Sequence, residues 1–204
     1  MTKLLLVRHG ETVWNHISRY QGHTDIELSE KGRKQAQLLS KSLHTEEIKA
    51  VYSSDLTRAA ETASILAAPH GLPVQVSKEL REINFGAWEG LTHREIMEQF
   101  KDVAAEWYDH PGKVRIPGGE SFQDLKERAY RKILELLAEN DPGTIITVAH
   151  GGTIRAVVCG LLDIDLNHAF QIRQDNTALN IIEYHPQGYT VLALLNGTSH
   201  LRGI

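Results

Sequence analysis

Lys3-Leu4-Leu5-Leu6-Val7-Arg8-His9-Gly10 opens the chain with an apolar run that ends abruptly in charge. A run without polar alternation suits a buried strand of a parallel sheet. Thr144 to Ala149 repeats the pattern and runs into His150-Gly151-Gly152. Ile48 to Ser53 and Pro73 to Val76 read as two more strands. Helical stretches separate them. Ser29 is a good N-cap for a helix to about Leu43, with Ala36, Leu38, Leu39 and Leu43 as its apolar positions. Asp55 offers a cap for an Ala- and Leu-rich helix ending near Ala68-Pro69 and Gly71. Another apolar helix follows Gly151-Gly152 to about Leu161. Asn180 to Tyr184 and Tyr189 to Leu195 read as strands joined by a hairpin at Pro186-Gln187-Gly188. Strands alternating with helices predict the α/β class: a three-layer α/β/α sandwich with a mainly parallel central sheet.

The region from about Asn84 to Asn140 breaks this rhythm. Thr92-His93-Arg94-Glu95 is a capping box, and Ser121-Phe122-Gln123-Asp124 is a variant with Asp in the last place. The stretch between them, Pro111 to Gly119, is rich in proline and glycine and reads as a loop. The expectation is one domain over residues 1–204, with a helical insertion at about 84–140 lying over one end of the sheet. A length of 204 residues is enough to bury a core without cross-links.

Composition excludes several functions. Lys plus Arg is 22 and Asp plus Glu is 26, so the net charge is −4 and no basic excess exists to neutralise nucleic-acid phosphates. Cys159 is the only cysteine, which rules out an internal disulfide and a Cys-based zinc site. It reads as a packed thiol in an apolar helix and fits a cytoplasmic, reducing setting. No apolar run approaches the roughly 20 residues that span a bilayer. The start of the chain lacks the pattern of a secretory signal.

In sheets of this kind, active sites lie beyond the carboxyl ends of the strands. Arg8-His9-Gly10 follows the first strand, and His150-Gly151-Gly152 follows the Thr144 strand. Arg58 opens the helix after the second strand, and Glu82 follows the third. This convergence suits phosphoryl transfer. Arg8 and Arg58 supply fork-shaped cationic donors that match phosphate oxygens. A neutral His9, kept so by its arginine neighbours, is a nucleophile if one ring nitrogen is held by a hydrogen bond. His150 donates to a phosphate oxygen, Asn15 adds a neutral donor, and Glu82 protonates the departing oxygen. Such a set needs no metal and no cofactor.

Leu5-Leu6-Val7-Arg8-His9-Gly10-Glu11-Thr12 with Trp14-Asn15 resembles the signature of the histidine phosphatase superfamily, in its phosphoglycerate mutase-like branch. The likeness continues through Leu28-Ser29-Glu30-Lys31-Gly32 and Ser53-Ser54-Asp55-Leu56-Thr57-Arg58-Ala59-Ala60-Glu61-Thr62-Ala63. It resumes at Leu80-Arg81-Glu82, Phe85-Gly86, Trp88-Glu89-Gly90, Gly119-Glu120-Ser121 and Val148-Ala149-His150-Gly151-Gly152. The resemblance implies a phosphohistidine at His9, a phosphate pocket of Arg8, Asn15, Arg58 and His150, and Glu82 as proton donor. It adds Gln21, Gly22 and Gly151 as substrate-side residues.

Plainer readings compete with these roles. Arg58 has Asp55 and Glu61 three residues away as surface ion-pair partners. The lesser reading of Glu82 is a solvated charge beside Arg81, and that of Asn15 a turn residue. Among the other histidines, His23 and His93 are the ones placed to line a pocket. Trp88, Trp107 and Tyr108 read as packing for the insertion.

The expected activity is hydrolysis of a small phosphate monoester. Mutases of this family follow the catalytic glutamate with Arg-x-Tyr-Gly, whereas Glu82 is followed by Ile83-Asn84-Phe85-Gly86. A cofactor-dependent phosphoglycerate mutase is the alternative, and a non-catalytic phosphate-binding regulator is a remote third. The segment Leu80 to Gly90 resembles both broad-specificity phosphatases and α-ribazole phosphatases. Ile83, Phe85 and Trp88 are expected to edge a pocket suited to apolar leaving groups. No nucleic acid and no membrane is expected as a partner, and the sequence leaves room for a homodimer.

Overall fold

The computed structural model describes residues 1–187 and 189–203. Strand β1 (Thr2–Arg8) leads through one helical turn, α1 (Val13–His16), to helix α2 (Glu30–Leu43). Then come β2 (Ala50–Ser54), α3 (Thr57–Ala67) and β3 (Val74–Ser77). Helices α4 (His93–Gln99), α5 (Lys101–Asp109) and α6 (Phe122–Glu139) precede β4 (Gly143–Ala149), α7 (Gly151–Leu161), β5 (Leu179–His185) and β6 (Tyr189–Gly197).

The six strands form one sheet in the order β3-β2-β4-β1-β5-β6. The first four are mutually parallel. β5 runs antiparallel to β1, and β6 antiparallel to β5, with the last pair of the β5–β6 ladder at His185 and Tyr189. Of the expected hairpin turn, Gly188 lies outside the described residues.

β1 shows why its apolar run does not alternate with polar residues. Leu4 and Leu6 enter a core shared with α6 and α7, while Leu5 and Val7 enter one shared with α2 and α3. Successive side chains of a strand point to opposite faces, so a sheet covered on both sides needs apolar residues at every position. The result is the expected three-layer α/β/α sandwich.

Ser29 caps α2, its Oγ accepting from Gly32 N at 3.0 Å. Both expected capping boxes close, Thr92 with Glu95 and Ser121 with Asp124. A third, Thr12 with Asn15, holds α1. Asp55 does not cap α3. Leu56 stands at that position without a side-chain cap, and the Asp55 carboxylate takes a two-pronged ion pair from Arg81. The bidentate pairing outcompetes capping because it satisfies both carboxylate oxygens with charged donors.

The layers fix where a ligand can enter. The chain leaves β1 for α2 on one face and leaves β4 for α7 on the other. The adjacent carboxyl ends of β1 and β4 therefore form a switch point, where the loops diverge and leave a crevice. The segment from Glu82 to Ser121 closes over this end, held by Trp88, Trp107 and Phe122, all buried. Among the described residues, no helix is long and apolar enough to cross a membrane.

Candidate active site

The register of the two central strands assembles the site. β1 pairs with β4 so that Arg8 lies opposite Ala149. The next residues, His9 and His150, must then be neighbours; His9 N donates to Ala149 O at 3.0 Å, and the two rings lie 5.1 Å apart between centroids. Residues 141 positions apart in sequence meet because a parallel ladder leaves them no alternative.

His9 is buried, and its Nδ1 lies 2.7 Å from Gly10 O. A carbonyl only accepts, so Nδ1 carries the proton and Nε2 keeps its lone pair. Burial, with Arg58 and Arg8 adding repulsion, holds His9 well below the usual histidine range. His150 is held low in the same way, by burial first and then by Arg58. Arg58 Nε donates to His150 Nδ1 at 3.3 Å, which leaves the His150 proton on Nε2. That Nε2 is buried and has no hydrogen-bond partner among the described residues, and Arg8 Nε is in the same state. Two orphaned donors beside a nucleophilic nitrogen fit an anionic oxygen group, since an unmet buried donor is otherwise costly.

Arg58 does not make the surface ion pairs open to it. It is fully buried, donating to Gly22 O at 2.7 Å and Thr24 O at 2.9 Å, while Glu61 pairs with Arg33. Burial pushes both Arg8 and Arg58 down to about 10, which still leaves them charged at neutral pH.

Glu82 acts as a cap for α7. Its carboxylate accepts from Gly152 N at 3.0 Å, Thr153 N at 3.1 Å and its neighbour Ile83 N at 3.0 Å. The positive end of the helix dipole reinforces this placement. Gly152 is required here, because a Cβ would stand 2.5 Å from Glu82 Oε1. Arg128 fixes the backbone underneath, donating to the carbonyls of Glu79, Arg81 and Glu82 while pairing with Glu120. His23 Nε2 lies 2.9 Å from Glu82 O, so His23 supports the glutamate rather than lining the pocket. His93 is exposed against Tyr108.

The cleft has a volume of about 230 Å³, and Asn15, Gln21 and Gly22 line it with Arg8, His9, Arg58 and Glu82. Asn15 Oδ1 is occupied by Thr12 N and Asn176 Nδ2, which leaves the amide N–H groups as its available end. Thr12 Oγ1 donates to Gln21 Oε1 at 3.0 Å and ties the loop back. A Cβ on Gly151 would stand 3.2 Å from Arg155 Nη1, tighter than an ordinary contact, and within normal van der Waals distance of Arg8 Nε. The loop itself is interlocked with α2: a Cβ on Gly10 would stand 2.5 Å from Gly32 O, and one on Gly32 would collide with Glu11 O.

Ile83 and Trp88 do not edge the pocket. Both are wholly buried in the core. Phe85 does reach it, and beside it opens an annex of about 530 Å³ walled by Tyr20, Trp107, Tyr108, Phe122 and Phe170. Sequence reasoning missed Arg128, Thr153 and Arg155 as well as most of this wall. Arg128 carries no local signal, since it reads as a charge on an amphipathic helix. Arg155 stands one turn after Gly151 on α7, and that spacing could have placed it at the site.

The family model described as histidine phosphatase superfamily (branch 1) matches residues 4–197. The chain belongs to this superfamily. This histidine phosphatase is 36% identical over 201 residues to phosphoserine phosphatase 1 of Hydrogenobacter thermophilus, covering 98% of this chain and 95% of that one. A phosphoserine phosphatase mutant from Entamoeba histolytica, solved in complex with phosphoserine, superposes with a TM-score of 0.87 at 32% identity, covering 98% of this chain and 100% of that one. A putative α-ribazole-5'-phosphate phosphatase from Escherichia coli gives 0.88 at 31% identity, with 97% of each chain covered.

Proposed function

We propose that this chain hydrolyses small phosphate monoesters through a phosphohistidine formed on His9. The observation that carries the reading is the orientation of that ring: Nδ1 is held by Gly10 O, and Nε2 lies in a cleft with two unpartnered buried donors. In the first step Nε2 attacks phosphorus in line, the bond to the alcohol oxygen breaks, and Glu82 gives that oxygen a proton. In the second, Glu82 takes a proton from water, whose oxygen attacks phosphorus and releases His9 and inorganic phosphate. Arg8, Arg58 and His150 hold the equatorial oxygens as charge develops on them. Four protein groups supply the cationic and proton-transfer functions of the step.

The relatives' names supply phosphoserine and α-ribazole phosphate for the panel, and an aryl phosphate is added as an ester with a good leaving group. Phosphoserine is the first choice, since the chain covers nearly the whole length of a phosphoserine phosphatase. We read residues 1–204 as one domain, with the helical segment at about 84–140 forming the substrate side. A cytoplasmic setting accords with a single, buried thiol. A homodimer is the assembly to test by sedimentation.

The test is rapid acid-free quench with phosphorus-labelled ester, followed by phosphate release with a chelator present. Label bound to His9 and released at the turnover rate is the expected result. Release without any labelled protein would overturn the covalent route. Interconversion of phosphoglycerates with little release would make the chain a mutase.

A further inference from the structure

Gln35 is out of place on its helix. The buried stripe of α2 runs through Gly32, Ala36, Leu39 and Leu43, and Gln35 lies on it, 6% exposed. A long polar side chain on a core face needs a partner, since a buried amide left unmet is destabilising. Its partner belongs to the nucleophile loop: Gln35 Oε1 accepts from Glu11 N at 3.0 Å. That N–H shares a peptide plane with Gly10 O, the oxygen that accepts from His9 Nδ1 at 2.7 Å. In a trans peptide the C=O and N–H point in opposite directions from one rigid plate, so turning it breaks both bonds together. Gly32 admits the plate to the helix, because a Cβ there would stand 2.7 Å from Glu11 N. The preceding peptide is pinned separately, Gly10 N donating to Thr62 Oγ1 at 3.1 Å.

One chain of hydrogen bonds thus runs from Gln35 Oε1 through the Gly10–Glu11 peptide to His9. Bonds in series polarise one another, and an amide that donates at N–H becomes a stronger acceptor at C=O. Such a partner decides which imidazole nitrogen carries the proton. With the proton on Nδ1, Nε2 keeps its lone pair; with the proton on Nε2, His9 has nothing to offer phosphorus. We propose that Gln35 is a positioning residue for the nucleophile, acting through the Gly10–Glu11 peptide to hold His9 in the tautomer whose Nε2 can attack. The proposal rests on the phosphatase reading, which supplies the phosphorus. It gives α2 a part in the reaction although, among the described residues, none from that helix lines the cleft.

The experiment pairs Gln35→Met, which keeps the length and loses the acceptor, with Gln35→Glu, which keeps an acceptor in place. Phosphorylation of His9 by phenyl phosphate is followed in a single turnover. Nitrogen NMR of isotope-labelled histidine, assigned against His9→Ala, reports which ring nitrogen is bare. In Gln35→Met the Nε2–H form gains population, and the phosphorylation rate falls about three- to tenfold, the scale of one net hydrogen bond. Affinity for inorganic phosphate stays unchanged, because the groups of the cleft are untouched. Gln35→Glu, ionised at alkaline pH, keeps most of the rate and moves the His9 Nδ1–H proton resonance downfield, since a charged acceptor polarises the peptide further. An unchanged tautomer in Gln35→Met overturns the proposal whatever the rate. An equal loss of rate in both variants also overturns it, since that marks a structural role. Should Gln35→Met not fold, Gln35→Glu carries the test, and an unmoved Nδ1–H resonance overturns the proposal. Failure of the parent reading is distinct: no phosphorylated His9 would form in the unaltered chain, while the tautomer would still answer to Gln35.

Discussion

The phosphate end of the cleft and the aromatic annex beside it share Glu82 and Phe85, yet they are built differently. At the phosphate end, each key side chain sits within a few residues of a strand end, and strand register sets its neighbours. Its charges are desolvated and held by backbone groups. The annex draws on Tyr20, on α5, on the first residue of α6 and on a 3-10 turn at Leu166–Gln171. Its contacts are aromatic edges and faces, such as Phe122 against Phe170 at 5.4 Å. The difference separates chemistry from selection. Loss of the nucleophile at the first end should slow every ester alike, and changes in the aromatic wall of the second should reorder them.

His9→Ala tests the first half of that statement most severely. Turnover of every ester should fall by more than about 10⁴-fold, as expected when a covalent nucleophile is removed. Stopped assays on an alkyl and an aryl phosphate check it, and retained turnover of either refutes the assignment. Glu82→Gln comes next. It should slow alkyl phosphates by about 10²- to 10⁴-fold and aryl phosphates much less, because a good leaving group needs little protonation. Equal slowing of both would give Glu82 another role.

Acid stability separates the two ends without a substrate. An unfolded histidine titrates near about 6.5. Native His9 and His150 lie well below that, so the unfolded chain binds more protons as the pH falls. Stability is therefore full above about 6.5 and declines from there toward the native values, by up to about 2.7 kcal/mol per pH unit for two groups. Urea melts between pH 7 and 5 measure the slope. A double His9→Ala, His150→Ala variant should flatten it, whereas Phe170→Ala should not. The smallest effect is the kinetic one of Phe170→Ala, whose side chain is already 40% exposed. KM for an aryl phosphate should rise about three- to tenfold with kcat unchanged, the worth of one aromatic contact. A fall in kcat for all esters would merge the two regions into one.

The two ends also differed in how well the sequence announced them. Apolar runs such as Leu4 to Val7 and Ile145 to Val148 reported burial on both faces, and the residues following them had to converge. The capping residues Ser29, Thr92 and Ser121 depend on partners three positions away, so they too were readable. Asp55 misled because its partner, Arg81, lies 26 residues on and outbids the local backbone. Ile83 and Trp88 misled because nearness in sequence to Glu82 does not say which way a side chain turns; both face the core. Arg128 and Phe170 left no local trace, since each acts across packed helices and turns.

The interlock of Gly10 with Gly32 has a dynamic consequence. With carbonyl oxygens standing where side chains of Gly10 and Gly32 would be, the nucleophile loop cannot swing outward unless the first turn of α2 moves with it. Ser29 strengthens the tie, its N and Oγ both donating to Glu11 O. Slow hydrogen exchange should therefore report the amides of His9 to Glu11 and of Gly32 to Lys34 as a single opening unit, with one shared protection factor. Heating would then disable turnover at the same step that frays the helix, not before it.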